Sequence, residues 1–286
     1  MEFFFSSSLI AAFRPLNLFL IVLTQTLSSV FLLNHSLCIS KLFNQNQYIN
    51  FYLIVLATVL SAAGGYILND CFDRKIDAIN TPERSQFTEK NLSLLYFFSF
   101  ILFGVSIFIG FVINLKIGFS VLLSILILIF YAKYSKKVGI LKPILVSFLT
   151  AFSIFIVSIL ESSIPVSIYF FSLWAFFLSM LREIVKDLED WKGDVFQNSF
   201  TSAIQLGKQK SHWFLYILST LLIFSILLSI FFVPNTVSNT THKIIMISLI
   251  LFFMIKLNNA HSVSYKKLSL FCKIMMLVGI LGMVVY

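Results

Sequence analysis

Long apolar runs broken by short polar segments organise this chain. Nine runs stand out: Pro15–Leu33, Asn50–Leu68, Leu92–Ile113, Ile117–Tyr131, Pro143–Leu160, Pro165–Leu181, His212–Val233, Ile244–Ile255 and Leu268–Tyr286. A helix rising about 1.5 Å per residue needs roughly 20 apolar residues to cross a hydrocarbon core of about 30 Å. Most runs meet that length, and the fourth and eighth fall short of it. Inside a bilayer each backbone polar group must find its partner within the segment, which favours helices. The pattern therefore predicts an all-α, polytopic membrane protein with about nine transmembrane helices. Loops are short apart from those after the second and sixth runs, and no low-complexity linker intervenes. One bundle over residues 1–286 is expected, treated as a single domain.

Composition agrees with this reading. The chain is 59% hydrophobic and only 12% charged, with mean hydropathy +0.96, more apolar surface than a soluble domain of this size can bury. Most of the 34 phenylalanines are expected to face lipid or to pack between helices. No basic residue precedes Arg14, so the first run lacks the basic flank of a cleaved signal and is read as a retained span. Cys38, Cys71 and Cys272 lie far apart and suggest neither a disulfide framework nor a zinc site. The bases are unevenly placed: 17 of the 21 Lys and Arg residues fall at the N-terminus and in the loops after runs two, four, six and eight, against three in the opposite loops. By the positive-inside rule the N-terminus is cytoplasmic and the C-terminus lies outside, as an odd number of spans requires.

The polar interruptions carry the chemistry. All six aspartates fall in two windows of identical spacing: Asp70, Asp73 and Asp77, then Asp187, Asp190 and Asp194. On a continuous helix offsets of 0, 3 and 7 place three carboxylates within about 60° of one face. Such like charges repel unless a cation sits among them, and hard oxygen ligands suit Mg²⁺. The windows follow runs two and six, so both are expected on the cytoplasmic face, where they can converge. Their 117-residue separation suggests a parallel internal repeat. Bases interleave the acids: Arg74 and Lys75 in the first window, Arg182, Lys186 and Lys192 in the second. Carboxylates holding Mg²⁺ beside Lys and Arg make a receptor for a diphosphate. At the mouth of an apolar bundle, the organic part of that diphosphate is expected to be a lipid chain. An allylic prenyl diphosphate fits: pyrophosphate departs, an allylic cation forms, and apolar walls keep water away from it. Phe72, Trp191, Tyr131 and Tyr134 offer ring faces to such a cation, although packing or interfacial anchoring is the favoured explanation for each. Glu183 is a same-face neighbour of Asp187; solvation is the default reading for it, with joining the metal shell or pairing with Lys186 as the alternatives. His35, His212, His242 and His261 do not cluster, and neither they nor Glu161 receive a role.

At these residues the chain resembles the UbiA superfamily of intramembrane prenyltransferases. Asn69-Asp70-x-x-Asp73-x-x-x-Asp77 is similar to the family's first motif, and Asp187-x-x-Asp190-x-x-Gly193-Asp194 to its second. Weaker similarity runs through Arg14-Pro15, Pro82-Glu83-Arg84, Tyr131 with Lys136, and Leu206-Gly207-Lys208. The resemblance implies a nine-helix bundle with a central cavity opening to the cytoplasmic face and Mg²⁺ bound by both motifs. It implies transfer of a prenyl group from its diphosphate to a lipophilic acceptor within the membrane. Asp70, Asp73, Asp187 and Asp190 would be catalytic, with Asp77, Asp194 and Asn69 completing the metal set. Arg74, Lys136, Lys186 and Arg182 would bind the diphosphate. Within the superfamily, Arg-Glu-Ile-x-Lys-Asp-x-x-Asp-x-x-Gly-Asp looks most like the branch that alkylates geranylgeranylglyceryl phosphate, so the acceptor is read as a lipid of that kind or a quinone precursor. Two positions depart from the family pattern: Ser85 replaces a common proline, and Lys142-Pro143 stands where a Gly-Asn pair is frequent.

The partners implied are a prenyl diphosphate, its acceptor and membrane lipid. A nucleic acid is not among them, and the oligomeric state stays open. The location expected is an integral multi-pass membrane protein, in the cell inner membrane if the source is bacterial, with the N-terminus and active site cytoplasmic. A CDP-alcohol phosphotransferase-like lipid enzyme is a weaker alternative, since its continuous aspartate signature is missing. A cation transporter is another, disfavoured because these aspartates sit at helix ends beside bases rather than at the bilayer midplane.

Overall fold

The computed structural model describes residues 11–33, 46–80, 82–134, 137–196, 199–258 and 262–286. Among these residues the chain is helical, and nine helices are long and apolar enough to cross a membrane. In chain order the helices are α1 (Pro15–Leu27), α2 (Asn46–Asn80), α3 (Pro82–Lys90), α4 (Leu92–Ile113), α5 (Leu115–Tyr134), α6 (Leu141–Phe155), α7 (Val166–Glu189), α8 (Trp191–Phe196), α9 (Ser202–Leu206), α10 (Lys208–Phe232), α11 (Val237–Asn258) and α12 (Ser262–Gly282). A π-turn over Ser28–Leu32 extends α1, and 3₁₀ turns extend α6 and α12. Rings such as those of Phe108, Phe119 and Phe231 project outward, the last 83% exposed. In water that surface would drive aggregation, whereas hydrocarbon solvates it at no cost.

The two spans that apolarity made short are full length. The eighth, expected over Ile244–Ile255, begins at Val237 because Thr236 and Asn239 cap it reciprocally. The Thr236 N–H donates to Asn239 Oδ1 at 3.0 Å, and the Asn239 N–H to Thr236 Oγ1 at 3.1 Å. This satisfies two donors of a polar first turn that hydropathy overlooks. The second motif departs further from expectation. Its carboxylates do not share one continuous helix, because α7 ends at Glu189 and Asp190 forms its C-cap with ψ near 0°. Asp194 sits on the separate helix α8.

The contacts divide the chain into two compact units. The first takes the described residues up to Gln25 with those from 46 to 134, and is organised by α2. Small residues on α2 let its neighbours approach closely. A Cβ on Gly64 would come within 2.8 Å of the Phe103 ring and 3.1 Å of the Ser99 carbonyl on α4. One on Gly65 would meet Leu128 of α5 at 2.9 Å. At that range hydroxyls bridge the helices. Ser99 Oγ donates to Gly64 O at 2.8 Å, Ser106 Oγ donates to Ala57 O at 2.7 Å, and the Ser61 and Ser106 hydroxyls lie 2.6 Å apart. Small-residue packing with interhelical hydrogen bonds holds helices together where both sides are equally apolar to lipid. Gln25 Nε2 donates to Thr58 Oγ1 at 3.1 Å and ties α1 to the same helix.

The second unit takes the described residues from 26 to 33 and from 137 onward, and is organised by α7. Trp174, Leu178, Leu181, Ile184, Val185 and Leu188 are all buried along it. They pack against α6, α10 and α12. The first motif therefore rides on the most enclosed span of its unit, and Asp187 of the second on the most enclosed span of its own.

Gly64→Ala is expected to lower thermal stability of the detergent-solubilised full chain, at about 1–3 kcal/mol for overpacking. Gly104→Ala, whose added Cβ meets nothing within 4 Å, is expected to leave stability unchanged or to raise it, through roughly 0.5–1 kcal/mol of helix propensity. Thermal unfolding of both variants checks the contrast, and equal effects would contradict the packing described.

Candidate functional site

The first motif occupies the last described turns of α2. Asn69 is buried; its Nδ2 donates to Asp73 Oδ2 at 2.9 Å, and its Oδ1 is enclosed without a hydrogen-bond partner. Asp70 is 2% exposed and accepts from Arg14 Nη2 at 3.2 Å. Local backbone sets that arginine in place. Arg14 has φ of +50°, a left-handed conformation rare outside glycine and asparagine. Pro15 then opens α1 with a φ already suited to the first helical position. The guanidinium lies 4.9 Å above the Tyr66 ring, a second contact that restrains it. Asp73 and Arg74 are partly exposed. Arg74 turns back to donate to the Cys71 carbonyl at 2.8 Å, and its own carbonyl accepts from Ser85 Oγ at 2.6 Å. The serine that departs from the family pattern thus anchors α3 beneath the motif. Asp77 lies on α2, and its side chain falls outside the described ones, as does the whole of Lys136.

The second motif is more heavily engaged by its own unit. Asp187 is 1% exposed; its Oδ1 accepts from Lys142 Nζ, and its Oδ2 from the Ser202 backbone N–H at 3.2 Å and Ser202 Oγ at 2.7 Å. A tight turn delivers the lysine. Gly139 has φ of +53°, which glycine adopts freely, and any Cβ there would collide with the Gln205 side chain. Its N–H donates to the Phe200 carbonyl at 2.9 Å, and its carbonyl accepts from the Lys142 N–H at 3.2 Å. The segment before α6 is thereby tied to the segment before α9, and Lys142 and Ser202 reach one carboxylate. Arg182 pairs with Glu183, so this expected diphosphate ligand already has an anion. Lys186 lies in the field of Glu183, Lys142, Arg182 and Asp190. Asp190 is exposed at the end of α7, and Asp194 is buried on α8 with its N–H on the Asp190 carbonyl at 3.0 Å.

Of the aromatic residues considered, Phe72 packs edge-on to Tyr96 at 5.9 Å, and Tyr134 lies 5.0 Å from Phe130. Trp191 has Lys208 Nζ 5.3 Å from its ring centroid. Three of these partners are packing contacts or a cation already supplied by the protein.

Arg14, Lys142 and Ser202 belong to the site although the aspartate motifs do not include them. A signal for the first two does exist, since each is a base at the start of the span that precedes a motif span.

The first motif's donors suit a hard cation. They comprise a buried, unpartnered amide oxygen and the carboxylate of Asp73 bonded to the same side chain. Among the described residues no three His, Cys, Asp or Glu side chains stand close enough to cage a metal unaided. Mg²⁺ does not demand such a cage, because it is commonly held by one or two carboxylates and completes its shell with water and substrate phosphates. Asp187 fits less readily, with both oxygens in use.

The chain is similar to digeranylgeranylglyceryl phosphate synthase of Saccharolobus solfataricus, 36% identical across 67% of this chain and 74% of that one. It is also similar to the like-named protein of Methanosphaera stadtmanae, 30% identical across 80% and 85%. Among solved structures, one of digeranylgeranylglyceryl phosphate synthase in membranes aligns with a TM-score of 0.81 at 24% identity, covering 100% of this chain and 98% of that one. A UbiA homologue from Archaeoglobus fulgidus bound to GPP and Mg²⁺ aligns at 0.68 and 15% identity, covering 98% and 100%. At those identities the structures establish the fold. The model of the UbiA prenyltransferase family matches residues 42–277, most of the chain and both aspartate motifs, and the chain belongs to that family.

Proposed function

We propose that this chain transfers a prenyl group from a prenyl diphosphate to a lipophilic acceptor in the membrane, with Mg²⁺ held by both motifs. The observation that carries the reading is Asn69: a buried amide oxygen without a partner, on a side chain bonded to Asp73 and adjacent to Asp70, at the polar end of an otherwise apolar helix. In water-poor surroundings an acceptor of that kind is expensive unless it meets a donor or a cation.

Bound Mg²⁺ would neutralise charge on the departing pyrophosphate. Asn69, Asp70, Asp73 and Asp77 are proposed to hold it at the first motif, and Asp187, Asp190 and Asp194 at the second. Arg74, Arg182, Lys186 and Lys136 are proposed to orient the diphosphate and balance its remaining charge. Arg14 is proposed to hold the Asp70 carboxylate in its orientation. The apolar helices exclude water from the allylic cation, which water would otherwise convert to an alcohol. The whole of residues 1–286 is proposed to act as one catalytic domain, with a cavity opening to the cytoplasm. That orientation rests on the excess of bases at the N-terminus and in the loops after even-numbered spans. Similarity to proteins named digeranylgeranylglyceryl phosphate synthase favours a prenylated glyceryl phosphate as acceptor over a quinone precursor.

In nanodiscs supplied with Mg²⁺, geranylgeranyl diphosphate and a panel of acceptors, Asp70→Asn (which keeps an acceptor for Arg14), Asp73→Ala and Asp190→Ala are each expected to abolish transfer and to unfold no earlier than Gly64→Ala. Asp187→Asn, which keeps an acceptor for Lys142, is expected to do the same. Asp77→Ala and Asp194→Ala are expected to lose less, about 10–100-fold. Full activity in any of the first four variants, or in wild type stripped of divalent ions by EDTA, would overturn the reading. Arg14→Gln is expected to lose about 10–100-fold in kcat/KM, because Asp70 loses the donor that orients it. An unchanged kcat/KM in that variant would remove Arg14 from the site.

A further inference from the structure

The leading aspartate of each motif meets a base from the start of the preceding span, but the two pairs differ. Arg14 is about one-third exposed and touches one oxygen of Asp70 at 3.2 Å. Lys142 and Asp187 are both buried, and Ser202 occupies the other oxygen of Asp187 through its N–H and its hydroxyl. An ionised carboxylate offers about four acceptor positions, and three of these are filled. Asp187 is therefore neutralised and hydrogen-bonded by its own unit before any divalent ion arrives. An ammonium beside the same oxygen also repels an approaching cation, the more so where water is scarce. Arg182 does not relieve this, since it is committed to Glu183.

We propose that Lys142 is the resting counter-ion of Asp187 and competes with the divalent ion for it, so that the second motif becomes a metal site only when a diphosphate is present. This rests on the function proposed above. Diphosphate oxygens give the Lys142 ammonium another anion to pair with, and Asp187 Oδ1 is released to a cation. Ser202 stays on Oδ2 and keeps the carboxylate oriented during the exchange. Metal and substrate thus enter the second motif together, while the first motif, with its open amide oxygen, takes its ion alone.

The test is an electron paramagnetic resonance titration of Mn²⁺ on the full chain in detergent, with and without inorganic pyrophosphate. It compares wild type, Lys142→Met, and the double variant Lys142→Met with Asp187→Asn. Without pyrophosphate, Lys142→Met is expected to hold one further Mn²⁺, or to bind it about ten-fold more tightly than wild type. With pyrophosphate, wild type is expected to reach the same occupancy. In the double variant the gain should vanish, which assigns it to Asp187. An isotherm of Lys142→Met that matches wild type without pyrophosphate overturns the proposal, as does a gain that survives Asp187→Asn. Lys142→Gln serves in the same way if the methionine variant does not fold. Wild type that takes up no Mn²⁺ even with pyrophosphate sinks the metal-dependent function and this proposal with it. Binding by wild type, with no effect of Lys142, sinks this proposal alone.

Discussion

A carboxylate enclosed at the end of a bilayer-spanning helix needs a cation, and much of this molecule is arranged around that need. Asp70 and Asp187 are almost wholly buried, and water cannot screen them. Leaving either unpaired would cost several kcal/mol, and removing one partner of a buried ion pair typically costs about 3–5 kcal/mol. The protein answers twice with one device, a base at the first turn of the span before the motif span. The strength of the answer differs between the units. The arginine is partly exposed and shares its charge with a tyrosine ring, while the lysine is buried against its aspartate with a serine completing the shell. That asymmetry separates a motif with an open oxygen from one that is closed at rest.

Such pairs hold only if the helices are fixed to within fractions of an ångström, and hydrophobic burial cannot do that in lipid, where either side of a helix is equally well solvated. Glycine and serine take over the task in the first unit. Gly64 and Gly65 remove the bulk that would keep α4 and α5 away from α2, and the hydroxyls of Ser99 and Ser106 then bond to the α2 backbone. In the second unit α7 is enclosed on several sides by large side chains, with Trp174, Leu181 and Ile184 buried along it. A left-handed turn at Gly139 joins the start of α6 to the strand-like segment before α9. Rigid helices, polar at one end and apolar along the rest, are suited to gripping an anionic headgroup while its hydrocarbon chain stays dry.

Much of this was legible in the residues because the governing rules are local. Length and apolarity alone give nine spans, and the two aspartate windows stand out in a chain with so few charges. What stayed hidden depended on contacts between distant positions. Arg14 and Asp70 are 56 residues apart, Lys142 and Asp187 are 45 apart, and apolar runs do not report helix rotation. The break of α7 at Asp190 was hidden because DxxDxxxD spacing implies one continuous helix, whereas only the first motif has one. Polar helical turns were missed for a related reason. The capped start of α11 and the extension of α2 to Asn80 are helical by hydrogen bonding, which a hydropathy reading does not register. The substitution of lysine for glycine at position 142 could be noticed in the sequence, but its meaning required Asp187 beside it.

The most direct measurement of the central claim is anomalous diffraction from crystals of the full chain grown with Mn²⁺ and an unreactive prenyl thiodiphosphate. The account predicts anomalous density against Asn69 and Asp73, further density against Asp187 and Asp190, and the thiodiphosphate oxygens in contact with the bound ions. A thiodiphosphate clearly bound with no anomalous density at either motif would contradict it.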